Sequence, residues 1–266
     1  MQFYKYEATG NDFIIFKNIV KNPSKIARAI CHRRFGFGAD GILFPEKSLV
    51  ADIKMNYYNS DGSLAYMCGN GIRAFSKFLL DEKIINKDNF TIETEAGIIK
   101  VSVIDNLISA NLGKPITTLE KPFVKEKVVS LKPINLNNYL SYIINTGVLH
   151  TVILKKDYPN FDIINDAKLI QDNPLFINST NVNLVEVLSD GTIKVDTYER
   201  GAGLTLSCGT GVVAAYYIAH KLNLLKNNEG KVIVAGGNLL VKIINDELYL
   251  IGPANKIGSG IYEEKN

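Results

Sequence analysis

Long apolar runs, blocks of one charge and paired cysteines are all missing from this 266-residue chain. No stretch of about 18 apolar residues occurs, which excludes a membrane-crossing helix. Thirty basic and 27 acidic residues leave a net charge of +3 with no Lys/Arg block. Neither nucleic acid nor an anionic membrane is therefore expected as a partner. The three cysteines, at 31, 68 and 208, are odd in number, far apart and without a CxxC spacing. They make no disulfide framework and suit a reducing cytoplasm, where a thiol is kept for packing or for chemistry. Three scattered histidines, at 32, 150 and 220, offer no HxxxH spacing, so no metal site is expected. The segment MQFYKYEATGNDFIIF is polar and acidic inside and does not read as a signal segment, which favours a cytoplasmic location. GFGADG (36–41) has the GxGxxG spacing but no following helix, so a dinucleotide reading is weak, and nothing else marks a site for PLP, flavin or nicotinamide.

What is present is ordinary globular composition, 46% apolar and 21% charged, and a long internal repeat. NSDGSLAYMCGNG (59–71) and ERGAGLTLSCGTG (199–211) each place a polar residue nine positions before a cysteine and CGxG at it. A glycine follows each cysteine after 29 positions, Gly97 in TEAGIIKVSVIDN and Gly237 in VAGGNLLVKIINDEL. A Thr-Gly pair opens a strand-like run in both copies, at 9–10 and at 146–147. Short runs rich in Val, Ile and Tyr (ADIKMNYY, NFTIET, IIKVSVI, LSYIIN, NLVEVL, TIKVDTY, KVIVA, LLVKII) read as strands bounded by Gly, Asn, Asp or Pro. Helical period appears in SKIARAICH (24–32), with Ser24 as its cap, and in GIRAFSKFLL and GVVAAYYIAHKL after the two cysteines. The expected fold is α/β (α+β): two pseudo-symmetric halves, each a mostly antiparallel curved sheet or barrel around a central helix. Their expected extents are 1–115 and 116–253, with 254–266 returning to the first half, and a site is expected in the cleft between them.

Each repeated cysteine stands where a loop enters a helix. The unsatisfied N–H groups and positive dipole of a first turn lower a thiol pKa and bind an anion. Gly69-Asn70 and Gly209-Thr210 would cradle a carboxylate there, the glycines letting backbone approach it closely. Two such termini on one carboxylate would put a sulfur on each face of its α-carbon. One thiolate could then remove a proton while the other thiol returns one, the developing carbanion being stabilised by both helix ends. Cys31, on a helix face with Ala27 and beside Ile30, reads instead as a packing residue. Asn11, Asn59 and Asn181 neighbour Gly, Asp or Asn and read equally well as turn residues. Glu199-Arg200 reads also as a solvated pair, and His150 as a core histidine.

With ATGNDF, FGFGADG, YYNSDGSLAYMCGNGIRAF, NTGVLH, TNVNLVEV and TYERGAGLTLSCGTG in view, the chain resembles the diaminopimelate epimerases over its whole length. The proline racemases share the paired cysteines but carry His in place of Asn70 and lack the ERGAG run. The resemblance implies interconversion of LL- and meso-2,6-diaminoheptanedioate without a cofactor, for lysine and peptidoglycan synthesis. It implies an amino-acid substrate and a homodimer. It matches Cys68 and Cys208 to the catalytic bases and His150 and Glu199 to residues that tune them. Asn11, Asn59, Gly69, Asn70, Asn181, Glu199, Arg200, Gly209 and Thr210 match substrate-binding positions. Val148 and Gly41 depart from it, standing where many members of the family carry an Asn that contacts substrate and some carry a Gln near it. A racemase of another amino acid and a non-catalytic amino-acid-binding protein are the alternatives.

Overall fold

The computed structural model describes residues 1–264. Two compact units divide the chain: residues 1–111 joined by the C-terminal segment from Gly252, and residues 112–251. The first break falls where the last strand of unit 1 ends, a few residues ahead of the expected 115/116 boundary. Residues 265 and 266 of the expected returning segment lie outside the described residues.

Unit 1 runs β1 (Gln2–Ala8), β2 (Asn11–Phe16), α1 (Pro23–Ile30), β3 (Gly41–Glu46), β4 (Ile53–Asn59), α2 (Gly69–Asp81), β5 (Asn89–Thr94), β6 (Gly97–Ile104) and β7 (Leu107–Asn111). The β1–β2, β3–β4, β5–β6 and β6–β7 pairs are antiparallel, and β2–β3 and β4–β5 are parallel. Parallel neighbours need a crossover, and α1 and α2 supply the two.

Unit 2 opens with a small ribbon of β8 (Thr118–Leu119) and β9 (Val128–Val129), then β10 (Ile134–Leu136). It continues with β11 (Tyr139–Asn145), β12 (Leu149–Leu154), α3 (Asn165–Gln171), β13 (Asn181–Val187), β14 (Ile193–Glu199), β15 (Gly203–Thr205) and α4 (Gly209–Lys221). β16 (Glu229–Val234), β17 (Gly237–Ile244) and β18 (Glu247–Gly252) follow. From β11 onward its pairings reproduce those of unit 1 in order and sense. Even the short parallel contact recurs in register: Ile53 with Ile92 and Lys54 with Glu93, against Ile193 with Val232 and Lys194 with Ile233. The tight hairpins recur too. Asp105-Asn106 and Asn245-Asp246 both take positive φ, as a two-residue turn of this twist demands and as Asn and Asp tolerate.

The last strand, β19 (Asn255–Ile261), pairs antiparallel with β1. β10 pairs with β11 in the same sense, so β19 fills in unit 1 the place that a local strand fills in unit 2.

Each unit buries both faces of its sheet. In unit 2 Val182 and Leu184 of β13 pack towards α3, while Val185 packs towards α4. In unit 1 Ile14 and Phe16 of β2 join the core under α1, and Phe13 approaches Gly71 of α2. α4 is apolar on every side, from Val212 to Ala219, and all of these residues are buried. α1 begins at Pro23 with Asn22 before it, so the expected Ser24 cap lies inside the helix. Proline at the first helical position loses no hydrogen bond and carries a preset φ, which moves the start upstream. The runs read as strands fall in β4, β5, β6, β11, β13, β14, β16 and β17. Among the described residues no helix is long and apolar enough to cross a membrane.

Candidate active site

Cys68 caps α2 with extended backbone (φ −147°, ψ 119°), and its sulfur accepts the Gly71 N–H at 3.3 Å. A sulfur in the capping position takes one of the donors that a helix start leaves unsatisfied. Its thiol donates to Asn11 Oδ1 at 3.4 Å, and Asn70 Nδ2 reaches the same oxygen at 3.4 Å. The amide orientations follow from their other partners. Asn11 Nδ2 faces the Asp40 carboxylate, which only accepts, so Oδ1 must face the thiol. Asn70 Oδ1 takes a hydrogen from Arg73 Nη2 at 3.0 Å, so its Nδ2 must face Asn11. Behind Asn11, Arg33 bridges Asp40 and Asp12 at 2.7 and 2.8 Å, and Lys5 reaches Asp12 at 2.9 Å. Burial pushes the Asp12 carboxyl up, but the hydrogen bonds and charges of Arg33 and Lys5 outweigh it and hold the pKa low. Asn11 is thus an anchored amide rather than a mobile turn residue.

Cys208 caps α4 in the same extended conformation (φ −119°, ψ 107°) and is 6% exposed. Its sulfur lies 3.5 Å from Thr210 Oγ1, which lies 3.0 Å from His150 Nε2. The tautomer of His150 can be deduced. Thr197 donates to Asn183 Oδ1 at 3.0 Å, which turns Asn183 Nδ2 towards the Thr151 carbonyl and His150 Nδ1. Nδ1 therefore accepts, Nε2–H donates to Thr210, and the Thr210 hydroxyl is left to donate to sulfur. Burial pushes the imidazole pKa down to about 3, and an Nδ1 that accepts from Asn183 also favours the neutral ring. His150 is accordingly a neutral donor acting through Thr210, not a cation beside the thiol. Gly211 makes this proximity possible, since a Cβ there would stand 2.3 Å from Asn183 Oδ1 and 3.2 Å from His150 Cε1.

Strand register brings the other candidates to the same edge of each unit. Gly41 pairs with Asn59 in unit 1, and Asn181 and Glu199 end the equivalent strands in unit 2. His150 pairs with Asn181 across β12 and β13. Asn59 binds Ser63 through both backbone and side chain and holds a turn. Asn181 Oδ1 accepts the Arg200 N–H at 2.8 Å, and Glu199 accepts the Thr205 hydroxyl at 2.6 Å. The Arg200 guanidinium reaches the Asn178 carbonyl at the surface. Val148 lies in the loop closed by the Thr146 N–H on its carbonyl. Gly41 has a steric reason: a Cβ would come 2.5 Å from the Tyr58 carbonyl and 2.6 Å from the Tyr57 ring. Cys31 is buried, and burial together with Asp12 and Asp40 pushes its thiol up to about 12, which makes it a packing residue. Arg73, Asn183 and Asp40 were not singled out from sequence. The one sign was a polar residue inside an otherwise apolar periodic run, as with Arg73 in GIRAFSKFLL.

Residues 3–118 and again 142–257 match the family model described as diaminopimelate epimerase. A diaminopimelate epimerase from Clostridium perfringens (strain 13 / Type A) is 40% identical, covering 98% of this chain and 99% of its own. One from Alkaliphilus metalliredigens (strain QYMF) is 37% identical, covering 98% and 97%. Among solved structures, a phenazine biosynthesis protein from Bacillus anthracis superposes with TM-score 0.70 at 16% identity, covering 98% of both chains. A hydroxyproline epimerase from Agrobacterium vitis does so with TM-score 0.67 at 14% identity, covering 98% of this chain and 91% of that one. At those identities the likeness is one of fold. Matched in both of its halves and at 37–40% identity along nearly all of its length, the chain belongs to the diaminopimelate epimerase family.

Proposed function

We propose that the chain interconverts LL- and meso-2,6-diaminoheptanedioate by proton transfer between the substrate α-carbon and two thiols, those of Cys68 and Cys208. The observation that carries this reading is the equivalence of the two cysteines. Each caps the central helix of one unit, within the same strand topology and the same CGxG sequence.

The chemistry requires both helix starts to meet one substrate carboxylate, with a sulfur on each side of its α-carbon. One sulfur enters as thiolate and takes the α-proton, leaving the bonding pair on carbon and carboxylate. The opposite thiol gives its proton to the other face and becomes the thiolate, so the two sulfurs exchange states as the centre inverts. Backbone N–H groups of Gly69-Asn70 and Gly209-Thr210 stabilise the charge gathered on the carboxylate oxygens. That stabilisation takes the part an electron-withdrawing cofactor plays elsewhere. Arg200, beside Asn181, suits the distal carboxylate, since a guanidinium fork binds carboxylates bidentately.

Incubation of the purified protein with the LL isomer in deuterium oxide tests the reading. Deuterium should enter the α-position, and the meso isomer should accumulate. Cys68→Ala and Cys208→Ala should each reduce epimerisation at least a hundredfold, removing a proton carrier that nothing else replaces. Uptake into another amino acid and none into this one would overturn the substrate while keeping the thiol chemistry. Epimerisation unchanged in either cysteine variant would overturn the two-thiol mechanism.

A further inference from the structure

Arg73 is the largest fully buried side chain among the described residues, lying beneath the first turn of α2. Its guanidinium donates to Thr9 Oγ1 and Asn70 Oδ1 at 3.0 Å each, and to the Pro253 and Gly69 carbonyls at 3.4 and 3.5 Å. Among the described residues no carboxylate lies within ion-pair distance of it. A buried cation without a counter-ion is costly, and neutral oxygens compensate it only in part. Burial pulls its pKa down to about 10, which leaves it charged at neutral pH, and Cys68 and then Glu7 are the groups whose negative charge favours it. Asp40, behind Asn11, is already engaged by Arg33.

The other unit lacks this charge. Val213 occupies the equivalent position of α4, one residue short of Ala214, and the group beneath that helix start is the neutral His150. The two helix starts therefore share geometry but not electrostatics.

We propose that Arg73 is a positioning residue for Cys68: it fixes the Asn70 amide beside the thiol and supplies the buried positive charge that favours the Cys68 thiolate once the proton shared with Asn11 Oδ1 leaves. This rests on the two-thiol reading above.

The test reads the thiols without substrate, through the pH dependence of iodoacetamide alkylation followed by peptide mapping. In a Cys208→Ala background Cys68 is the reporting thiol, because Cys31 is buried and its pKa is about 12. Arg73→Met in that background should raise the apparent Cys68 pKa by at least about one unit, slowing alkylation at pH 7 about tenfold. Arg73→Lys, which keeps the charge and loses the fork, should stay within about half a unit of the parent. A folded Arg73→Met variant with an unchanged alkylation profile would overturn the proposal. Should that variant not fold, Arg73→Gln, which keeps amide donors and loses the charge, takes its place: it must raise the apparent Cys68 pKa in the same way, and an unchanged profile overturns the proposal. Deuterium uptake into the substrate, measured separately, tests the underlying reaction and is untouched by either result.

Discussion

Thr210 is the residue through which a buried neutral imidazole reaches a thiol. Its hydroxyl accepts from His150 and is left to donate to Cys208, so Thr210→Val removes both contacts at nearly constant volume. We expect a stability loss of about 1–3 kcal/mol, from the imidazole N–H left unsatisfied, in urea unfolding. Turnover should fall about tenfold with KM changed far less, because one hydrogen bond of about 1.4 kcal/mol at the reacting sulfur is lost. His150 itself sets a pH window. Its folded pKa of about 3 lies below the unfolded value near 6.5, so the fold disfavours its protonated form. The stability contributed by burying it neutral is complete above pH 6.5 and is lost as pH falls towards 3. Between pH 7 and pH 5 this one group should cost about 2 kcal/mol, so His150→Gln should flatten the pH dependence of unfolding by that amount. Gly211→Ala would press a methyl group to 2.3 Å from Asn183 Oδ1 and should destabilise by about 1–3 kcal/mol; Gly71→Ala, with 3.3 Å available, should cost less.

At the scale of elements, the helix ends are as informative as the starts. Both central helices finish in a left-handed residue, Lys83 at φ 56° and Asn223 at φ 58°. Asn tolerates that conformation and Lys does not, so Lys83→Gly should stabilise the protein by up to about 1 kcal/mol in thermal or urea unfolding. The same comparison shows what a sequence can disclose. The cysteine helices were legible because the CGxG start, the apolar period and the spacing to Gly97 and Gly237 all agreed. Their strands were legible from short β-branched runs between turn residues. α1 was misplaced by one cap because proline and serine compete for a helix start and only the local backbone decides. α3, in NDAKLIQ, is too short for its period to stand out. Cys68 and Cys208 could be chosen from sequence because the repeat placed them, and Cys31 could be set aside because no repeat did. Arg73 and Asn183 could not, since what distinguishes them is burial among polar partners contributed by other elements. Nor could the tautomer of His150, which depends on the orientation of an amide on the neighbouring strand.

For the whole molecule, duplication explains why two units of one topology carry different charge beneath equivalent helices. Unit 1, however, is completed by a strand from the far end of the chain. β19 pairs with β1, Asn255 bonds Glu7, the Lys256 ammonium lies 4.9 Å from the Tyr4 ring centroid, and Tyr262 packs on the core under α1. Removing the chain from Asn255 onward would leave β1 as an open edge. We expect hydrogen exchange to accelerate through β1 and β2 while the strands of unit 2 keep their protection, and the thermal midpoint to fall by several degrees.

The returning strand also bears on synthesis. A ribosome delivers residues 112–252 in one piece, with every strand of unit 2 from β8 to β18 already available. Unit 1 up to residue 111 is made before unit 2 yet waits for β19, which is translated after it. Of the two units, the one translated earlier is thus completed later, and through that interval the β1 edge is the surface a nascent chain must keep from its neighbours.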